Sequence, residues 1–68
     1  MEHSQPGHFK LPLRIAKEQL LERFERDYVA SLLAQTSGNV AEAARRAGID
    51  RSTLFRTIRR YGLKAAEG

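Results

Sequence analysis

Residues 38–63 read GNVAEAARRAGIDRSTLFRTIRRYGL, and three glycines punctuate the stretch. Gly38 stands where a preceding helix must stop, because a left-handed C-cap is open to glycine and strained for residues with a Cβ. Asn39 follows at once as an N-cap, with Glu42 at the third helical position able to reach back as in a capping box. A helix is therefore expected over about 40–47. Its inward residues Val40, Ala43, Ala44 and Ala47 are small, which permits close helix packing. Gly48-Ile49-Asp50 then forms the turn, with Gly48 as C-cap, Ile49 as a buried plug and Asp50 as N-cap of a further helix over about 51–61. Gly62 ends that helix in a Schellman-type cap, with Leu63 folding back on its last turn. Two short helices joined by a tight turn that begins with glycine make the helix-turn-helix pattern.

Upstream, no glycine or proline interrupts the chain from Leu13 to Gln35, and Pro12 stands where a first-turn proline is tolerated. One long helix is expected. At about 100° per residue, Leu13, Leu20, Leu21, Phe24, Tyr28 and Leu32 fall within an arc of about 120°. Val29 and Leu33 lie outside that arc, so the second half of the helix is apolar around more of its circumference. The second half is thus expected to pack under the two short helices, and the first half to offer Leu13, Leu20, Leu21 and Phe24 to a second copy of the chain. A thin core points the same way. Sixty-eight residues without cysteine have neither disulfides nor a metal framework to support them, which leaves oligomerisation. The fold class expected is all-α, a long helix followed by a helix-turn-helix, paired as a dimer through the long helix. The folded domain is expected over 12–63, with residues 1–11 as a flexible tail or linker remnant and 64–68 fraying.

Charge is unevenly placed. The net charge of +4 conceals five basic against six acidic residues in 1–44, and seven basic against two acidic in 45–68. Such a basic end on a balanced chain is the footprint of a polyanion binder, since neutralising phosphates releases condensed counterions. On the last helix Leu54, Ile58 and Tyr61 share one face, expected to be core. Ser52, Phe55, Arg56 and Arg59 point away from it, with Thr53 and Arg60 on the flank and Arg51 in the first turn. Arginine can donate two parallel bonds to guanine O6 and N7, and serine or threonine can bond a phosphate or a base edge. The first turn of a helix also favours phosphate. Arg56 is the expected base reader, and Arg51 and Arg60 the expected phosphate contacts. Phe55 either meets a thymine methyl or leans into the core edge.

Other classes find little support. The chain has no cysteine, no glycine-rich phosphate loop, and its two histidines, His3 and His8, lie in the N-terminal tail, so neither catalysis nor a metal site is expected. No cofactor or small-molecule ligand is expected. No apolar run approaches the roughly 20 residues of a membrane span, and the N-terminus lacks the apolar centre of a signal peptide, so a cytoplasmic protein is expected. A basic protein-interaction helix is the weaker alternative, because the apolar side opposite the arginines is needed to hold the long helix. Single-strand readers carry exposed aromatic platforms, and here only Phe55 could serve.

Gly38-Asn39-Val40, Ala43-Ala44, Gly48-Ile49-Asp50-Arg51-Ser52-Thr53-Leu54 and Tyr61-Gly62-Leu63, taken together, resemble the Fis-type helix-turn-helix that ends many bacterial sigma-54-dependent activators of the NtrC family. The preceding Phe24-Glu25-Arg26-Asp27-Tyr28 resembles the helix through which two copies of that domain pack. The resemblance implies a dimer on enhancer-like inverted repeats of double-stranded DNA, with Arg51, Thr53, Phe55, Arg56 and Arg59 at positions that meet DNA. It also implies either a piece of a larger activator or a stand-alone Fis-like protein of the nucleoid that bends DNA.

Overall fold

The computed structural model describes residues 10–66; the tail expected over 1–9, with His3 and His8, lies outside the described residues, as do 67 and 68. Three helices follow one another: α1 (Leu13–Gln35), α2 (Val40–Ala47) and α3 (Arg51–Tyr61), with no strand among the described residues. This is the expected all-α order. Its 23 residues make α1 a rod of about 35 Å at 1.5 Å per residue.

α1 stops where its backbone turns left-handed. The Thr36 hydroxyl and amide both donate to the Leu32 carbonyl, at 2.9 and 3.0 Å, and Gly38 N–H donates to the Leu33 carbonyl at 2.7 Å. Two successive residues take positive φ here, Ser37 at 55° and Gly38 at 80°, whereas the sequence pattern marks only the glycine. Asn39 then caps α2, its Oδ1 accepting from Glu42 N–H at 3.0 Å. The reciprocal half of the expected capping box is not made. Asn39 N–H donates to the Thr36 carbonyl instead, and the Glu42 carboxylate turns to Arg45 and Arg46.

At Gly48, Ile49 N–H reaches the Ala44 carbonyl at 3.1 Å and Gly48 N–H the Arg45 carbonyl at 3.2 Å, the bond pair of a Schellman motif. Gly62 repeats it on Ile58 and Arg59. The core beneath these turns comprises Val29, Leu32, Leu33, Val40, Ala43, Ala44, Leu54 and Ile58. Leu54 and Val40 are fully buried, each worth about 1.5–3 kcal/mol over exposure. Alanines on α2 let α3 approach closely enough for Leu54 to reach α1.

Two expectations need correction. Ile49 is no plug: it is 38% exposed, because Leu54 and the α2 alanines already fill the space under the turn. Residues 64–66 do not fray either. Ala66 N–H donates to the Gly38 carbonyl at 2.8 Å, and Leu63 and Ala65 pack partly against the core, so the chain after α3 returns to the α1–α2 turn. Within α1, Leu32 is buried with Val29 and Leu33, in the half expected to pack under the short helices.

The N-terminal half of α1 is bare on its apolar side. Leu13 is 74% exposed, Phe24 and Leu21 63% each, and Leu20 53%. Phe24 and Tyr28 stack against each other with ring centroids 5.7 Å apart. No helix among the described residues is long and apolar enough to cross a membrane.

Candidate nucleic-acid interface

α3 carries its functional side chains by simple rotation. Leu54, Thr57 and Ile58 are buried against α1 and α2, which leaves Arg51, Ser52, Arg56 and Arg59 exposed on the other side. Thr57 is a core residue that the sequence pattern misses. Its hydroxyl is satisfied by donating to the Thr53 carbonyl at 3.2 Å, a local bond that lets a small polar residue sit inside.

The N-terminus of α3 is set by Asp50, whose extended backbone starts the helix without a side-chain bond to a helix amide. Its carboxylate instead accepts from the Ser52 hydroxyl at 2.9 Å. The Thr53 and Ser52 hydroxyls hold the Asp50 carboxyl below its ordinary range. The first turn of α3 lies beside Arg51, and the first turn of a helix favours a phosphate oxygen. Arg56 lies one turn on, its Nη2 donating over a long 3.4 Å to the Thr53 hydroxyl. Thr53 itself is half-buried.

Carboxylates sort the arginines. Glu42 on α2 accepts from Arg45 through Nε at 3.1 Å and through Nη2, and from Arg46 Nε at 3.0 Å. The Arg45 bond, then that of Arg46, holds the Glu42 carboxyl below its usual range, and Glu42 raises Arg45 in turn. Arg60 is drawn toward α1, its Nη2 4.0 Å from Glu22 Oε2 and its guanidinium 5.6 Å from the Tyr61 ring centroid. Among the described residues no carboxylate lies within ion-pair reach of Arg51, Arg56 or Arg59. These three are the charges the outer face holds free.

Two expected site residues therefore stand elsewhere than the outer face. Phe55 is half-buried and packs on the core edge, beside Ile58 and Leu63, which is the second of its two expected placements. Arg60 faces the long helix. Tyr61, expected in the core, is only half-buried, and its hydroxyl donates to Glu25 Oε1 at 2.8 Å. Burial first, and then Glu25, pushes the Tyr61 hydroxyl above its ordinary value. Glu22 and Glu25 went unmarked in the sequence because their partners lie on another helix. The Glu42 clamp was open to inference, since three- and four-residue spacings put Arg45 and Arg46 beside it.

This arrangement presents cationic forks on a rigid helix, with hydroxyls at its edge and an amide-rich end, and it is suited to a polyanion with hydrogen-bonding edges. The family model for bacterial regulatory proteins of the Fis family matches residues 20–61, more than half of the chain. The propane 2-monooxygenase operon transcriptional activator MimR of Mycolicibacterium goodii is 42% identical over 43 residues, a span that covers 63% of this chain and 7% of that activator. No solved structure matches.

Proposed function

This chain belongs to the Fis family of bacterial regulatory proteins and is a DNA-binding regulator, and from that premise we propose that it binds specific duplex DNA with α3 in the major groove. The unpaired Arg51, Arg56 and Arg59 on the open face of α3 carry this reading. Arg56, at mid-helix, is the base reader, and Arg51 beside the first-turn amides holds a phosphate. Ser52 and Thr53 border the same face, and Phe55 supports it from the core edge.

The reading extends to a pair of chains. The exposed Leu13, Leu20, Leu21 and Phe24 form a stripe too apolar to stay in water, and a second copy covers it with the same stripe. Two-fold pairing relates the two α3 helices, so the site is an inverted repeat with half-site centres about 34–36 Å apart on straight DNA. The larger role proposed is that of the DNA-binding part of a sigma-54-dependent transcriptional activator. The resemblance of residues 20–63 to the end of such activators supports it.

Competition gel shifts test the binding mode. A labelled duplex should be displaced by unlabelled duplex and not by its single strands or by RNA of the same sequence; equal competition by RNA would reject the major-groove reading. Sedimentation tests the pairing, with about twice the monomer mass expected and a shift toward monomer in Phe24→Ala. A compact monomer at high micromolar concentration would reject the pairing.

A further inference from the structure

α3 is anchored to α2 by a short turn and by Leu54, but its far end meets α1 through polar groups. Among the described residues, the Tyr61–Glu25 bond is the one side-chain hydrogen bond that joins two helices; every other spans four residues or fewer. Arg60, next to Tyr61 in the chain, and Glu22, about one turn from Glu25, stand beside it. On α1, Glu22 and Glu25 continue the buried face of Val29 and Leu33, and they adjoin the open stripe of Leu21 and Phe24. The contact therefore links the helix that reads DNA to the helix that pairs.

We propose that the Tyr61–Glu25 hydrogen bond, with the Arg60–Glu22 pair at its side, fixes the angle of α3 on α1 and so determines which half-site spacing the paired protein accepts. Tyr61, Glu25, Arg60 and Glu22 are positioning residues in this scheme, and none needs to touch DNA. The proposal rests on the pairing through α1 described above.

The lever is long enough to matter. From the Leu54–Ile58 packing at mid-helix to Arg51 α3 runs about 7.5 Å, so a tilt of about 10° about that packing moves the Arg51 end by about 1.3 Å. Two-fold symmetry applies the same tilt to the other copy, and the separation changes by up to about 2.6 Å, most of the ~3.4 Å rise of one base pair. Packing at Leu54 and Ile58 alone resists translation better than rotation, because both contacts lie near the middle of α3. A directional bond at the helix end adds to the docking of Leu63, Ala65 and Ala66 in limiting rotation.

The test is a series of duplexes carrying two inverted half-sites with the spacer changed by one base pair at a time, together with a single half-site duplex. The wild-type chain should favour its best spacing over the neighbouring ones by about tenfold, and Tyr61→Phe should reduce that preference to about threefold or less, with half-site affinity unchanged. Glu25→Gln keeps a carbonyl oxygen for the Tyr61 hydroxyl and should retain the wild-type profile. Glu22→Gln, at an exposed position, should broaden the profile without endangering the fold, and it serves if Tyr61→Phe melts too early. A wild-type profile in both Tyr61→Phe and Glu22→Gln would overturn the proposal. If the wild-type chain itself binds two half-sites no better than one at any spacing, the pairing fails and the tether falls with it, and that result is told apart by appearing before any substitution is made.

Discussion

Replacing Gly38 with alanine should damage this fold more than the same change at Gly48 or Gly62, although all three glycines have similar backbone angles. Their φ values are 80°, 77° and 65°, so each substitution bears the left-handed penalty of about 1–2 kcal/mol. At Gly48 and Gly62 an added Cβ meets nothing within 4 Å. At Gly38 it would overlap the Ala66 amide nitrogen and lie 2.9 Å from the Ala66 Cβ. Backbone cannot swing aside as a side chain can, so the returning segment must withdraw and the Ala66–Gly38 hydrogen bond is lost, a further 0.5–1.5 kcal/mol or so. The excess over Gly48→Ala is then about 1 kcal/mol, or ~4–8 °C in melting temperature for a domain of this size. Thermal melts followed by helical circular dichroism would resolve it. A second arm isolates the cause: in a chain ending at Leu63, Gly38→Ala should cost no more than Gly48→Ala. Equal losses in the full chain, or an excess that persists after truncation, would refute the docking of residues 64–66.

Three further outcomes follow from the site. Arg56→Ala should weaken binding by ~1–3 kcal/mol and relax preference at one base pair, measured by competition against single-substituted duplexes; unchanged affinity and preference would remove Arg56 from the reading role. The slope of log affinity against log salt should be near −4 for a paired complex in which Arg51 and Arg59 of each chain meet phosphate, and a slope near −13 would mean that all seven cations of each basic third do. Asp50 and Glu42 have carboxyls held below their ordinary values of 3.8 and 4.5 by hydroxyls and arginines respectively, so the folded state gives up these protons more readily than the unfolded chain. Their contribution is therefore complete above those ordinary values and is lost as pH falls through the lowered ones; melting temperature should drop over that acid range, and less steeply in Glu42→Gln.

The helices were legible because their ends are written in local chemistry. Asn39, Gly48, Asp50 and Gly62 each act within four residues of themselves, and α2 and α3 run over the residues the caps predict. Ile49 and Ala66 were misplaced for one shared reason: their surroundings depend on how closely whole helices approach. A wheel assigns Leu32 to the wider apolar arc, but Val29 and Leu33 show that the inward direction of α1 lies farther round. In the site, Arg51, Ser52, Arg56 and Arg59 were visible from periodicity alone. Arg60 was not, since it turns toward a carboxylate 38 positions earlier, and periodicity left Phe55 open between the outer face and the core edge, where packing on Leu63 beyond the end of its helix decides it.

The acidic residues of the first two helices explain why the basic end is not a simple cationic surface. Glu42 holds Arg45 and Arg46, and Glu22 stands against Arg60, so three of the seven basic residues of the last third are already engaged. At the surface such pairs add little to stability, because solvent screens them and long side chains lose rotamer freedom. Their effect is on direction. Arginine left free on every side would bind any polyanion in many orientations, and non-specific affinity would rise with each added contact. With Arg45, Arg46 and Arg60 engaged, the guanidiniums of the last third with no carboxylate in ion-pair reach among the described residues are Arg51, Arg56 and Arg59, all on α3. A duplex that accepts all three must present its groove along α3. Under the proposed major-groove reading, orientation is set by which cations the protein's own carboxylates leave open, before any base is read.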